Sequence, residues 1–143
     1  LSKDKPLYIV RGNNDKEWAE DIPPFLRFEL DGITFYMVHN KKEIPQDLTG
    51  VNVVVFGHSH KYSEERKDGC LFLNPGSCGR RRFNQDITMA VLETGKGGIQ
   101  VSRIDIPHTD AALKAREESG FQNNMQQSEQ QKPSCKNPSG DIQ

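Results

Sequence analysis

A run of four apolar residues, followed by a glycine and two histidines, constrains this chain more than any other feature. The run is Val53–Phe56, and Gly57-His58-Ser59-His60 follows it directly. A short, unbroken apolar run rich in β-branched residues is typical of a strand buried on both faces, as in parallel or mixed sheets. Ligands of such sheets bind beyond the carboxyl ends of the strands, where a glycine permits a sharp turn. We therefore expect chemistry where this strand ends.

His58 and His60 are the first candidates for that chemistry. If residues 58–60 stay extended, side chains two positions apart lie on the same face, so both imidazoles would point the same way. Neutral imidazoles are good ligands of zinc, iron, manganese and nickel, and two of them on one strand end suit a compact metal site.

A second apolar run, Leu7–Val10, predicts another buried strand. It leads into Gly12-Asn13-Asn14-Asp15, which alone is most simply a turn, because glycine, asparagine and aspartate dominate turns. The layout repeats that of residues 53–60, so two strand ends of this kind would be able to meet at one site.

Two β-hairpins are predicted. Asp31-Gly32 is a two-residue turn between the alternating segments Phe25–Leu30 and Ile33–Val38, and His39 follows the second segment. Ile87–Glu93 and Ile99–Ile106 form the second hairpin, at a sheet edge.

The stretch between the hairpins contains one more predicted strand. Cys70–Leu73 is apolar and ends in the tight turn Asn74-Pro75-Gly76-Ser77, whereas Lys61–Asp68 reads as a charged, solvated loop. Arg80–Arg82 would either grip a phosphate or form an ordinary solvated surface run. The aromatic residues expected in the core are Phe35, Tyr36, Phe56 and Phe72.

The chain has 143 residues, which fits one domain and a tail. From residue 109 the sequence is too polar to offset the entropy of ordering it, so we expect a short helix at Ala111–Glu118 and a disordered tail. A net charge of -1 argues against a nucleic-acid or membrane-surface binder.

The cysteines indicate the cellular compartment. Cys70, Cys78 and Cys135 have no CxxC spacing, which is typical of free thiols in a reducing compartment, although Cys70 and Cys78 could approach across a loop. The sequence contains no apolar stretch of membrane-spanning length and no signal-peptide pattern. We expect a cytoplasmic protein.

Four motifs occur in the order seen in calcineurin-like metallophosphoesterases: Val10–Asp15, Val38-His39-Asn40, Gly57–His60 and Asn74–Ser77. The chain most resembles the small bacterial and archaeal phosphodiesterase branch, which also includes the retromer small subunit. The resemblance extends from Pro6 to Ile106. It implies an α/β fold in residues 1–108, the C-terminal part of a four-layer α/β/β/α sandwich with two mixed β-sheets.

The resemblance also implies two divalent metal ions, manganese first, with nickel, iron or zinc as alternatives. By position, Asn13, His39 and His58 resemble ligands of the second metal, and His60 resembles a ligand of the first. Asp15 resembles an acid that orients a neighbour by hydrogen bonding. Asn14 stands where many relatives carry a histidine thought to assist the leaving group. The implied reaction is hydrolysis of a small phosphoester, most simply a phosphodiester, by a metal-activated water.

The sequence departs from the family pattern at three places. The family's opening Asp-x-His and Gly-Asp motifs would precede Leu1, so we expect a truncated chain whose own activity is open. Asn14 cannot supply a proton near neutral pH. His39 is followed by Asn40 in place of glycine, and the connection to Val51 is shorter than the helix expected there.

Two other functions stay open. The first is a non-catalytic protein-binding scaffold, which is what the retromer small subunit mainly is. The second is a mononuclear zinc protein in which the histidines alone bind the metal. No HExxH motif supports the zinc alternative. The oligomeric state is also open, and a homo-oligomer is one alternative.

Overall fold

The computed structural model describes residues 4–82 and 84–107 of the chain. These residues contain seven β-strands and two short 3-10 turns, joined by loops. The strands are β1 (Phe25–Leu30), β2 (Ile33–Val38), β3 (Val53–Val55), β4 (Ser63–Lys67), β5 (Cys70–Asn74), β6 (Ile87–Gly95) and β7 (Gly98–Ile106). The 3-10 turns are Glu17–Ala19 and Lys41–Glu43. The strands belong to one compact unit that ends at Ile106. The helix predicted at Ala111–Glu118 and the polar tail lie outside the described residues.

The larger sheet is mixed and has the strand order β1-β2-β3-β5-β4. Strands β2, β3 and β5 run parallel to one another, whereas β1 and β4 run antiparallel to their neighbours. Parallel strands end at the same edge of a sheet, and ligands bind beyond that edge. The segments that follow Val38 and Val55 therefore lie at the same edge as Asn74.

Strand β3 is buried on both faces, as its apolar run predicts. Val53 and Val54 are 0% exposed, and they belong to different core clusters because successive side chains point to opposite faces. Val53 packs with Leu71 and Leu73 of β5. The aromatic residues predicted for the core contact these clusters: Phe35, Tyr36, Phe56 and Phe72.

The smaller sheet is the antiparallel hairpin β6–β7. Its inner side chains pack against the cluster of Val53, Leu71 and Leu73; they are Ala90, Leu92, Ile99 and Val101. Both predicted hairpins are confirmed, and Phe28 pairs with Phe35 in the first of them. The larger sheet is mixed, as predicted, and within the described residues the second sheet consists of this antiparallel pair, so a second mixed sheet stays a prediction.

Helices are few in the described residues. The only helical elements between residues 4 and 107, residue 83 aside, are the two 3-10 turns, where the predicted sandwich would have layers of helices. In the same part of the chain no helix has the length and apolarity that a bilayer crossing needs.

Two assignments of local structure are wrong. Leu7–Val10 is not a strand: Leu7 is 56% exposed and Ile9 46%, although Tyr8 stacks on Phe28 with 3.8 Å between ring centroids. An apolar run becomes a strand only when a neighbouring backbone satisfies its N–H and C=O groups. Conversely, the charged stretch Lys61–Asp68 contains β4, whose residues are all exposed. Charged side chains are usual on edge strands. Because β4 has no alternation of apolar and polar residues, its hydrophobicity pattern does not predict a strand.

Candidate metal centre

Three parallel strands carry the candidate residues to one edge of the larger sheet. His39 follows β2, His58 follows β3, and Asn74 ends β5. The Gly57 N–H donates to the His39 carbonyl at 2.9 Å, which extends the pairing of β2 and β3 beyond their ends. This bond holds the two histidine-bearing segments side by side.

Asn13, His39 and His58 meet at one point. His39 Nε2 lies 3.0 Å from Asn13 Oδ1 and 3.3 Å from His58 Nδ1. The two imidazole rings stand edge to face, with centroids 5.2 Å apart and an interplanar angle of 84°. The structure thus brings together the three residues that the family resemblance implies as ligands of one ion.

The three donor atoms present few N–H groups to one another. Asn13 Oδ1 accepts only, and a neutral imidazole carries a single N–H. At most one proton therefore fits between His39 Nε2 and His58 Nδ1, so at least one of these two nitrogens carries a lone pair. Burial lowers the pKa of His39, and the neighbouring His58 lowers it further. A lowered pKa favours the neutral form of the His39 imidazole, which is the form that binds metals.

The spacing and chemistry of the three donors fit one side of a divalent ion. Two ligands about 2.1 Å from one ion lie about 3.0 Å apart at a right angle and about 3.4 Å apart at the tetrahedral angle. The observed 3.0 and 3.3 Å fall in that range. Among residues 4–82 and 84–107, no group of three or more His, Cys, Asp or Glu side chains is able to hold a metal ion. Further donors are needed to close the coordination sphere.

His60 departs from the predicted geometry. His58 and His60 have positive φ angles of 68° and 59°, so residues 58–60 are not extended and strand alternation does not orient their imidazoles. His60 is near enough to His39 to contribute to its lowered pKa. It lines a cavity of about 340 Å³ whose other residues are Lys61, Tyr62, Asn84, Gln85, Asp86, Thr88 and Arg103.

The loop that carries Asn13 is closed by Asp15. The Asp15 carboxylate accepts from the Gly12 N–H at 2.6 Å, and the Asp15 N–H donates to the Gly12 carbonyl at 3.2 Å. A Cβ on Gly12 would lie 3.2 Å from two atoms of the His39 ring, so this loop packs directly against the imidazole. The side chain of Asn14 is exposed beside it.

Two buried polar residues near this edge were not predicted as site residues, although Asn74 opens a predicted turn. Asn74 is 0% exposed and Thr88 is 2% exposed. The signal for Asn74 was a polar residue that closes an otherwise apolar strand.

Of the three consecutive arginines, Arg81 donates to the carbonyls of Asn84 and Gln85 and so braces its own loop.

Comparison with known proteins places the chain in a family. Residues 1–97 match the family model described as the calcineurin-like phosphoesterase superfamily domain. Phosphodiesterase MJ0936 of Methanocaldococcus jannaschii is 32% identical over 50% of this chain and 53% of its own length. The chain therefore spans about half the length of this curated relative.

Two solved structures share the fold. A conserved protein of Streptococcus pneumoniae, described as a predicted phosphoesterase, has a TM-score of 0.58 at 24% identity over 73% of this chain and 68% of its own. Wild-type Vps29 of Entamoeba histolytica complexed with Zn²⁺ has a TM-score of 0.51 at 20% identity over 69% and 68%. At these identities the likeness concerns the fold alone.

Proposed function

Because the chain belongs to the calcineurin-like phosphoesterase superfamily, we propose that it carries part of the metal centre of a phosphodiesterase. One observation carries the proposal: Asn13 Oδ1 and His58 Nδ1 lie 3.0 and 3.3 Å from His39 Nε2. In this proposal Asn13, His39 and His58 bind one divalent ion and His60 binds a second. The similar MJ0936 carries the name phosphodiesterase, which supports a small phosphodiester as the substrate.

The residues around the centre suit an anionic substrate. When bound, divalent ions would supply an activated water and stabilise the negative charge of the phosphate. Lys41 and Lys42 line a cavity of about 370 Å³ that also borders His58, and Lys61 lines the cavity beside His60. These lysines place positive charge in the cavities that border His58 and His60, where it would attract a phosphoester.

Asn14 limits the acid chemistry available here. Its amide cannot donate a proton to a leaving alcohol, because it does not ionise near neutral pH. We therefore propose that good leaving groups are hydrolysed faster than simple alkyl esters. We propose that Asp15 orients its neighbour Asn13, because its carboxylate accepts a hydrogen bond from Gly12 and so closes the loop that carries Asn13.

The donor types bear on the choice of metal, and the free cysteines bear on the compartment. The family resemblance implies manganese first, and the amide oxygen suits that ion; the imidazole nitrogens equally suit zinc, iron and nickel, which stay alternatives. Cys70 and Cys78 are free thiols, which is typical of a reducing compartment, so we propose a cytoplasmic location.

Metal binding by the full chain is the first test. Isothermal titration of chelator-treated protein with Mn²⁺ or Zn²⁺ should give saturable binding, and Asn13→Ala should weaken it about tenfold or more. Asn14→Ala is the matched control, since it removes the neighbouring exposed asparagine, and its metal affinity should equal that of the wild type. Absence of binding by the wild-type chain would refute the metal centre.

Turnover is the second test. Hydrolysis of bis-(p-nitrophenyl) phosphate with Mn²⁺ that disappears in His58→Ala would support the phosphodiesterase. Metal binding with no turnover would favour the alternative, a non-catalytic protein-binding scaffold. Exposed apolar residues on the β6–β7 hairpin are the observation in favour of that alternative: Met89 at 41%, Val91 at 40% and Ile104 at 39%.

A further inference from the structure

Asn74 uses its whole carboxamide to join two loops at the candidate metal centre. Its Nδ2 donates to the Gly57 carbonyl at 3.1 Å and to Ser59 Oγ at 3.0 Å. Its Oδ1 accepts from the Gly76 N–H at 3.0 Å. The residue is 0% exposed, so water cannot replace any of these bonds without opening the structure.

The segment that Asn74 grips has an unfavourable backbone. His58 and His60 have φ angles of 68° and 59°, a left-handed conformation in which Cβ approaches the carbonyl oxygen. Such conformations persist only where the surrounding structure over-determines them. Asn74 contacts Gly57 and Ser59, the residues on either side of His58.

Asn74 is itself held in place by the second sheet. The Thr88 hydroxyl donates to the Pro75 carbonyl at 2.9 Å, and the Thr88 N–H donates to the Ser77 carbonyl at 3.0 Å. The turn after β5 is therefore anchored on β6. A strand that supplies none of the predicted ligands thus braces the residue that grips the histidine loop.

We propose that Asn74 is a positioning residue of the candidate metal centre, which clamps Gly57 and Ser59 so that His58 is held against His39. The inference rests on the proposed function. Without the clamp, His58 returns to negative φ and its imidazole leaves the position 3.3 Å from His39 Nε2. The ligand set then has to be reassembled each time a metal binds, and affinity falls.

The test compares the same substitution at two asparagines in the full chain. Asn74→Asp keeps an oxygen for the Gly76 N–H but places a second oxygen against the two acceptors, Gly57 O and Ser59 Oγ. Asn52→Asp is the matched control, because Asn52 Oδ1 accepts from the Thr34 N–H at 2.9 Å, away from the centre. Asn74→Asp should weaken Zn²⁺ binding at least tenfold, whereas Asn52→Asp should stay within twofold of the wild type.

A second readout needs no metal. One-bond Cα–Hα coupling constants distinguish positive from negative φ, so NMR of the metal-free protein reports the backbone at His58 and His60 directly. We expect positive φ at both residues in the wild type and in Asn52→Asp, and negative φ at His58 in Asn74→Asp. Positive φ retained in a folded Asn74→Asp, or an unchanged Zn²⁺ affinity, overturns the inference.

A milder variant covers the case in which Asn74→Asp does not fold. Ser59 is exposed, and Ser59→Ala removes one of the three Asn74 bonds together with the long 3.4 Å bond from the Lys61 N–H. It should weaken Zn²⁺ binding about threefold with an unchanged melting temperature, and an unchanged affinity overturns the inference. If the wild-type chain binds no metal, the proposed function fails, while the coupling constants still decide whether Asn74 holds the histidine backbone.

Discussion

Gly76 and Thr88 approach so closely that no side chain fits between them. A Cβ on Gly76 would lie 1.9 Å from Thr88 Oγ1, and the φ of Gly76 is 80°. The contact joins the turn after β5 to the first residues of β6, and it lies beside the loop that carries the candidate ligands. Two independent constraints, space and backbone conformation, therefore require glycine at this position.

Gly76→Ala should destabilise the protein by about 2–5 kcal/mol, the sum of about 1–2 kcal/mol for the left-handed backbone and about 1–3 kcal/mol for overpacking. Gly32→Ala separates the two causes, because Gly32 has a φ of 75° but no atom within 4 Å of its Cβ position. The control should lose only the first contribution. Urea unfolding followed by circular dichroism measures both variants, and equal losses would show that the clash is relieved without cost.

Gly12→Ala should weaken metal binding severalfold with little effect on folding. The added Cβ would lie 3.2 Å from His39 Cε1 and Nδ1, so the ring must shift by a few tenths of an ångström. Gly95→Ala is the control, since no atom lies within 4 Å of its Cβ position. Titration with Zn²⁺ gives both affinities. If the two variants bind equally, the Asn13 loop does not set the position of His39.

The two described cysteines should differ in their reactivity with pH. Burial raises the pKa of the Cys70 thiol, and only a thiolate is a good nucleophile. Cys78 is exposed. Brief iodoacetamide treatment at pH 7.5 should therefore label Cys78 and spare Cys70, whose labelling should rise only at more alkaline pH. Peptide mass spectrometry measures each site separately, and urea-unfolded protein, in which both sites should react alike, serves as the control.

The core between the two sheets should be intolerant of truncation. Leu71 is 1% exposed and packs with Val53 and Leu73, so Leu71→Ala should cost about 2–5 kcal/mol. Val91 on the outer face of β6 is 40% exposed, and Val91→Ala should change stability by no more than about 0.5 kcal/mol. Urea unfolding of both variants measures the difference. A small loss at Leu71 would mean that the sheets pack loosely against each other.

The fold could be predicted best where short-range signals suffice. Asp31-Gly32 predicts the first hairpin because that turn permits the positive φ that both residues adopt, at 52° and 75°. The unbroken run Val53–Val55 predicts a strand buried on both faces. The same reasoning fails at Leu7–Val10 and at Ser63–Lys67, because strand formation there depends on whether a neighbouring backbone is available.

The candidate site was only partly visible in the sequence. Residue types at strand ends identify Asn13, His39 and His58, yet nothing local shows that their donor atoms lie 3.0 to 3.3 Å apart. The approach of His39 to His58 arises from the parallel pairing of β2 and β3, whereas Asn13 is brought to His39 by a separate loop that packs against the imidazole at Gly12. The positive φ angles of His58 and His60 could not be predicted either, because the preference of histidine for that conformation is too weak to predict it at a given position.

By itself, then, the sequence determined which segments are apolar, where the tight turns fall and which chemical groups stand at the strand ends. These properties depend on neighbouring residues and on side-chain chemistry. Tertiary structure alone decided which strands lie side by side, which histidine meets which amide, and that Asn74 is buried where it can hold Gly57 and Ser59. The reason is that backbone pairing and close packing are formed between residues far apart in the chain, and a local pattern carries no record of its distant partner.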